Sequence, residues 1–442
     1  MSKRNAQRPG YKHTKVGWIP EEWECVRLKS LDPFLTSGSR GWAKYYSQSG
    51  SLFLRIANLV RGNVCLDLSD TRFVQVPEDC AEAIRTLVRS GDILISITAD
   101  LGIIGFISDD IAERTAYINQ HICLLRVRSE SCSRKFVAYS LAGPVSQKRF
   151  SRIVDQGAKA GLNLEAIRSF PVPFPPLVEQ ERIAEVLLAW DRAIALTDRL
   201  IAAKQRLKKG LMQQLLTGRL RFPEFGKPAR RRDELPIGWK RVRLQEVAQV
   251  NPSQAKPGHN DCCVTFLAMA DISEQGRMAS KQERPYLSVS NGFTSFLDGD
   301  ILVAKITPCF ENGKGAHLEG LTNGIGFGST EFHVIRAHNA DARFLFLHTQ
   351  SRPFRGRGEA NMTGSAGQKR VPAEFVRDYP IPLPEREEQR RIAATMSACD
   401  REIHLLAQKR ARLQKQKKGL MQKLLTGEVR VKVRSGQRRR QP

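Results

Sequence analysis

From residue 183 onward, the positions Ile183, Leu187, Trp190, Ile194, Thr197, Ile201, Leu211 and Leu215 fall on steps of four and three, the spacing of a coiled-coil seam. The spacing returns at Ile392, Met396, Cys399, Ile403, Leu406, Leu413, Leu420 and Leu424. Both seams turn cationic partway, at Lys204 and Lys208 in the first and at Arg410 and Lys417 in the second. Proline runs at 171–176 and 380–384 exclude helix and set helix starts near Leu177 and Arg386, while Gly218 and Gly427 stand where left-handed caps belong. Two helices of about 38 residues are expected, each roughly 57 Å long at the usual helical rise. Gly210 and Gly419 weaken their final turns.

These helices are one segment written twice. Glu179–Gly218 and Glu388–Gly427 align without a gap at an offset of 209, with 22 of 40 positions identical. The flanking chain repeats more loosely: Trp23, Val26, Arg27 and Leu28 match Trp239, Val242, Arg243 and Leu244, GDILIS at 91–96 matches GDILVA at 299–304, and FPVPFPP at 170–176 matches YPIPLPE at 379–385. Between these landmarks the halves diverge. The expected fold is α+β, with two pseudo-repeated mixed α/β domains separated by two long helices packed as an antiparallel coiled coil. The expected segments are a first domain over 1–176, a helix over 177–219, a linker over 220–234, a second domain over 235–385, a helix over 386–427 and a basic tail over 428–442. Two amphipathic stripes of equal length bury one another most economically, and a pseudo-twofold would set the heads at opposite ends of a helical ruler.

Charge adds a partner. The 71 Lys and Arg outnumber 45 Asp and Glu, leaving a formal +26, which suits a polyanion far better than a small neutral ligand. The excess gathers at Lys204, Arg206, Lys208 and Lys209, at Lys409, Arg410, Arg412, Lys415, Lys417 and Lys418, at 230–232 and at 438–440. No apolar run approaches the ~20 residues of a membrane span and the first residues lack a signal-peptide core, so the expected location is the cytoplasm, with no membrane partner. The nine cysteines are scattered without a CxxC pair, which argues against a disulfide framework or zinc site and for ordinary buried thiols.

GYKHTKVGWIPEEWECVRL near the start, GDILVAKITPCFENGKGAHL, GSTEFHVIRA, TGSAGQKRVP and PLPEREEQRRIA, with the GLMQKLLTG exit, resemble the specificity subunit of type I restriction–modification systems, from Gly10 to about Val429. The resemblance implies two target-recognition domains, each reading half of a bipartite double-stranded DNA sequence. It also implies helices that dock two methyltransferase subunits, and restriction subunits acting as translocase and nuclease. No cofactor is expected on this chain; S-adenosylmethionine, ATP and Mg2+ are implied for the partners. The first half departs from the commoner pattern, with DQGAKAGLN where the second has GSAGQKRVP, so the resemblance defines the DNA-contacting residues of the second domain better than those of the first.

Motif absences are consistent with a non-catalytic subunit. Asn251–Pro252 continues as Ser253–Gln254 rather than as an adenine-methylation motif, Gly313–Lys314 lacks the glycine a phosphate loop needs at 308, and Asp300 with Lys305 has Val303 where a nuclease would hold its second carboxylate. The alternatives are a self-contained DNA-modifying or DNA-cleaving enzyme, and a coiled-coil assembly protein serving RNA or another acidic partner. If DNA is read, polar side chains on loops must read it: Arg or Lys pairs with guanine and Asn or Gln with adenine, while Lys, Arg, Ser and Thr hold phosphates. The candidates in the first half are Ser96, Thr98, Asn119, Gln120, Gln156 and Lys159. In the second they are Lys305, Thr307, Asn312 and Lys314, then Ser329 and Thr330, then Ser365, Gln368, Lys369 and Arg370. For any one of them a turn residue bonding its own backbone is at least as good a reading, so the expectation rests on the loops.

Overall fold

The computed structural model describes residues 8–77, 80–155, 162–229, 231, 234–254, 256–259, 261–365 and 367–432. The chain divides into two compact units, one of residues 1–199 with 407–442 and the other of residues 200–406. The long helices run Leu177–Leu216 and Arg386–Leu425, forty residues each. Each helix therefore gives its first half to one unit and its second half to the other, a division that cuts across the linear segmentation.

The two units share one plan. In the first, a four-stranded antiparallel sheet is ordered Pro33–Ser37, Ile122–Val127, Ile93–Ser96, Ile104–Phe106; in the second the order is Ala248–Val250, Phe332–Ala337, Ile301–Ala304, Gly315–His317. The GDIL strands are buried on both faces, which is why they read as continuous apolar runs rather than alternating ones. A second four-stranded sheet in each unit contains one parallel pair, Ser51–Leu54 with Ala116–Ile118 and Cys263–Leu267 with Ile325–Gly328. The proline-rich segments pair as strands with the chain near each unit's start, Pro171–Phe174 with Glu24–Arg27 and Pro380–Leu383 with Lys240–Arg243.

The apolar seams are divided in a way their spacing does not reveal. Ile183 and Leu187 join Trp23, Phe136 and Tyr139 in the first unit's core, where Leu424 also lies and against which Leu420 packs. Leu215, Ile392 and Met396 join Trp239, Leu244 and Phe344 in the second, with Leu211 and Cys399 packed against it. In each unit the start of one helix and the end of the other are thus buried together with the head, whose sheet and short helices leave an apolar face to cover. Ile194 and Thr197 are buried, while Trp190, Ile201, Ile403, Leu406 and Leu413 are half-buried.

The cationic seam positions are matched by carboxylates on the facing helix. In the first unit Lys417 bonds Asp191 and Arg410 lies 2.5 Å from Asp198; in the second Lys208 lies 2.7 Å from Asp400 and Lys204 2.8 Å from Glu402. Within each unit, partners rise along one helix as they fall along the other. All four cations are thus paired within the chain, Lys417 in the interior and Arg410 at the surface.

A clasp is repeated at each helix start. Glu179 accepts from Trp23 Nε1 at 3.1 Å and from Arg430 at 2.7 and 2.8 Å; Glu388 accepts from Trp239 Nε1 at 3.0 Å and from Arg221 at 2.9 Å twice. Arg221 and Arg430 follow Gly218 and Gly427, both in the left-handed region at φ 68° and 69°. That turn delivers each arginine to the clasp. All nine cysteines are free; Cys123 and Cys132 are buried, six are half-buried and Cys263 is exposed, so the expectation of buried thiols holds only for the first two. Among the described residues no helix is long and apolar enough to cross a membrane.

Candidate nucleic-acid interface

The loops after the buried GDIL strands sit in the same setting in both units. In the first, Ile97 N donates to His121 O at 2.9 Å, Leu162 N to Ile97 O at 2.9 Å and Asn119 N to Leu54 O at 3.0 Å. In the second, Lys305 N donates to Glu331 O at 2.9 Å, Val371 N to Lys305 O at 2.9 Å and Ser329 N to Leu267 O at 3.1 Å. Three bonds in equivalent places gather three loops at one end of each sheet. They also fix the correspondence: His121 matches Glu331, Asn119 matches Ser329 and Leu162 matches Val371. The frame is common; the side chains it presents are not.

In the first unit the gathered groups form a polar chain. Thr98 Oγ1 lies 2.7 Å from His121 Nδ1, Gln120 Nε2 lies 3.1 Å from His121 Nε2, and Asn119 Oδ1 accepts from His121 N at 3.2 Å. The adjoining loop carries the exposed cations Arg40 and Lys44 and is joined by the Ser39–Asn119 bridge. A Cβ on Gly38 would lie 2.0 Å from Asn119 O and 2.4 Å from Ile118 O, so only glycine permits this approach. Gly38→Ala is expected to displace the 119–121 turn and to lower stability by about 1–3 kcal/mol, read as a fall in the urea midpoint; an unchanged midpoint would show that the turn yields freely.

The second unit presents charge instead. Lys305, half-buried, and exposed Lys369 have no ion-pair partner among the described residues, whereas Arg370 is paired with Glu331 at 2.8 Å. Arg370 holds the Glu331 carboxyl below the usual glutamate range, chiefly by hydrogen bonding. His333, buried behind this loop, bonds Val371 O at 2.8 Å, and burial lowers its basicity.

The family described as "Type I restriction modification DNA specificity domain" matches residues 75–204 and 236–415, well over half of the chain. The chain belongs to this family. It is 40% identical over 208 residues to the type I restriction enzyme EcoEI specificity subunit of Escherichia coli and 42% identical over 174 residues to the EcoAI specificity subunit of the same organism, covering 46% and 38% of this chain. The chain spans about a third of the length of these curated relatives, 34% and 29%. A chain in a solved structure described as the basis of complex assembly and conformational transition of the type I R-M system matches at TM-score 0.55 and 19% identity, over 93% of this chain and 99% of that one. That likeness shows the fold: two mixed α/β domains with long helices.

Within this specificity-domain frame the candidate residues separate. Thr98, Asn119 and Gln120 come together, as do Lys305, Ser329, Thr330, Lys369 and Arg370. Ser96 does not belong: it is fully buried, its hydroxyl donating to Asp100 O at 2.5 Å and accepting from Ile103 N at 2.8 Å, a turn-closing role. Thr307 donates to Glu311 Oε1 at 2.9 Å. Asn312 donates to Glu274 Oε1 at 2.9 Å and Lys314 to Met269 O at 3.1 Å, which turns both toward residues 269–274. Ser365 and Gln368 are exposed on the third loop. Gln156 and Lys159 lie outside the described residues. The same loops also bring in His121 and Glu331, each beside a candidate in the sequence, and the adjoining loop brings in the exposed Arg40 and Lys44.

Proposed function

We propose that this chain is the non-catalytic DNA-recognition subunit of a type I restriction–modification assembly, reading a bipartite double-stranded sequence with one half assigned to each unit. The observation that carries the reading is the matched trio of backbone hydrogen bonds, which holds three loops alike in both units while their side chains differ. A shared frame with unlike readers suits an asymmetric target. The net charge of +26 supplies the attraction to phosphates that such reading needs.

Pairing of the helices as an antiparallel coiled coil is supported by the seam spacing and by the order of the ion pairs within each unit. The partners in this reading are two methyltransferase subunits and restriction subunits acting as translocase and nuclease; exposed Leu200, Leu207 and Leu405 on the helices favour docking there, since unpartnered apolar positions on a polar helix face suit a facing helix. The chain itself binds no cofactor in this reading; S-adenosylmethionine, ATP and Mg2+ belong to the partners, and the assembly works in the cytoplasm. A self-contained nuclease is disfavoured by Asp300, which is buried and bonded by Arg336 at 2.8 and 2.7 Å and by Leu297 N at 2.7 Å.

Exchanging residues 235–385 for the equivalent segment of a relative tests the reading. One half of the recognised sequence should change while the other half and the spacer stay the same, as read by mapping methylated adenines. A change in both halves would refute independent readers. The purified chain alone should transfer no methyl group from labelled S-adenosylmethionine, and transfer by it would make the chain an enzyme.

A further inference from the structure

Arg370 is held along one edge of its guanidinium. Its Nε lies 3.1 and 3.0 Å from the two carboxylate oxygens of Glu331, and its Nη2 lies 2.8 Å from one of them. The backbone is fixed too: Arg370 N donates to Thr363 O at 2.9 Å and Thr363 N donates back to Arg370 O at 3.0 Å. Glu331 is pinned in turn, its N–H on Ser329 Oγ at 3.2 Å and its carbonyl accepting from Lys305 N at 2.9 Å. Yet the pair faces solvent, with side chains 44% and 25% exposed.

A staple is a poor account of this arrangement. Exposed ion pairs add little stability because water screens them and ordering two long side chains opposes them. The same loops are already tied by Val371 N on Lys305 O at 2.9 Å and by Thr307 N on Lys369 O at 3.0 Å. What the pair does provide is a cation that cannot swing. Nη1 touches Gln368 O at 3.3 Å, and an N–H on each terminal nitrogen is left directed away from Glu331. Two parallel donors on a planar fork match the O6 and N7 acceptors of guanine, the commonest specific contact in the major groove. A phosphate contact needs no such fixing, since an unrestrained lysine or arginine satisfies it.

We propose that Arg370 reads a guanine in the half-site of the second unit, with Glu331 as the positioning residue that sets the angle of its fork. This rests on the DNA-recognition reading above. Among the described residues of the first unit the clamp is not repeated, because His121 stands where Glu331 does. The guanine so read belongs to one half-site only.

Selection of bound duplexes from a library randomised through both half-sites, using the full chain, tests the proposal. Arg370→Ala should relax the preference for guanine at one position by about ten- to hundredfold and leave every other position unchanged. Glu331→Gln, which keeps the shape and loses the charge, should weaken that same preference by a smaller factor, and Arg370→Lys should not restore it. Two results would overturn the assignment: an equal loss for all sequences with the salt slope reduced by about one, which marks a phosphate contact, or a lowered melting temperature with base preferences intact, which marks a staple. If the unaltered chain selects no sequence, the recognition reading itself fails.

Discussion

Replacing Glu388 by alanine is expected to destabilise the unit of residues 200–406 by about 3–5 kcal/mol. Glu388 is 1% exposed, and its partner Arg221 only 8%. The carboxylate takes both arginine donors and the indole N–H of Trp239. Removing it leaves a buried guanidinium without a counter-charge and a buried N–H without an acceptor, and each carries its full desolvation penalty. The repeat supplies an internal comparison. Glu179 plays the same part, but Arg430 is 43% exposed and also bonds Glu22, so the cation freed by Glu179→Ala stays hydrated and paired. Its loss should be smaller, about 1–3 kcal/mol. Urea unfolding of the two variants compares them directly; equal losses would show that burial of the arginine does not set the cost.

The long helices were legible because a seven-residue seam, proline runs and capping glycines are local signals, and the starts expected near Leu177 and Arg386 coincide with those observed. What covers the seam was not legible. Ile183 and Ile403 occupy equivalent kinds of position, yet one lies in a head's core and the other is half-buried, since periodicity fixes which face is apolar and not what meets it. Lys417 shows the same limit for charge: beside Lys418 it reads as part of a basic run, and only the antiparallel register within the unit brings Asp191 to it. The candidate loops were legible as loops because they follow the GDIL strands. Ser96 was misread because a hydroxyl at a strand end looks alike whether it faces solvent or closes a turn. The pairing of Glu331 with Arg370 was not legible, because an acid in a basic chain reads as solubilising until its partner, 39 residues away, is known.

The buried pair of Asp191 and Lys417 should behave as one unit in a double-mutant cycle. Lys417 Nζ bonds Asp191 and Gly62 O at 2.8 Å, and Tyr139 donates to Asp191 Oδ2 at 2.7 Å, with the two charged side chains 1% and 5% exposed. Burial raises the Asp191 carboxyl above its ordinary range, while Lys417 and Tyr139 pull it back. A carboxyl whose folded pKa exceeds its unfolded one contributes stability most fully below the unfolded value, near pH 4, and loses that contribution as pH rises through the folded value. At neutral pH the carboxylate is therefore a liability that the lysine offsets. Asp191→Asn keeps an acceptor for Tyr139 but strands the ammonium, and should cost about 3–5 kcal/mol. Lys417→Met strands the carboxylate and should cost a similar amount at pH 7, less as the pH falls toward 4. The double variant has no buried charge, and should recover most of either loss. In the other unit the matching pair, Asp400 with Lys208, is 33% and 23% exposed and Arg277 also reaches Asp400 at 3.6 Å, so Asp400→Asn should cost about 1 kcal/mol or less. Urea midpoints for the four variants and the parent chain complete the comparison. Additive losses from Asp191→Asn and Lys417→Met would mean that the two charges are not coupled, and that burial in the first unit does not distinguish them from the half-buried pair in the second.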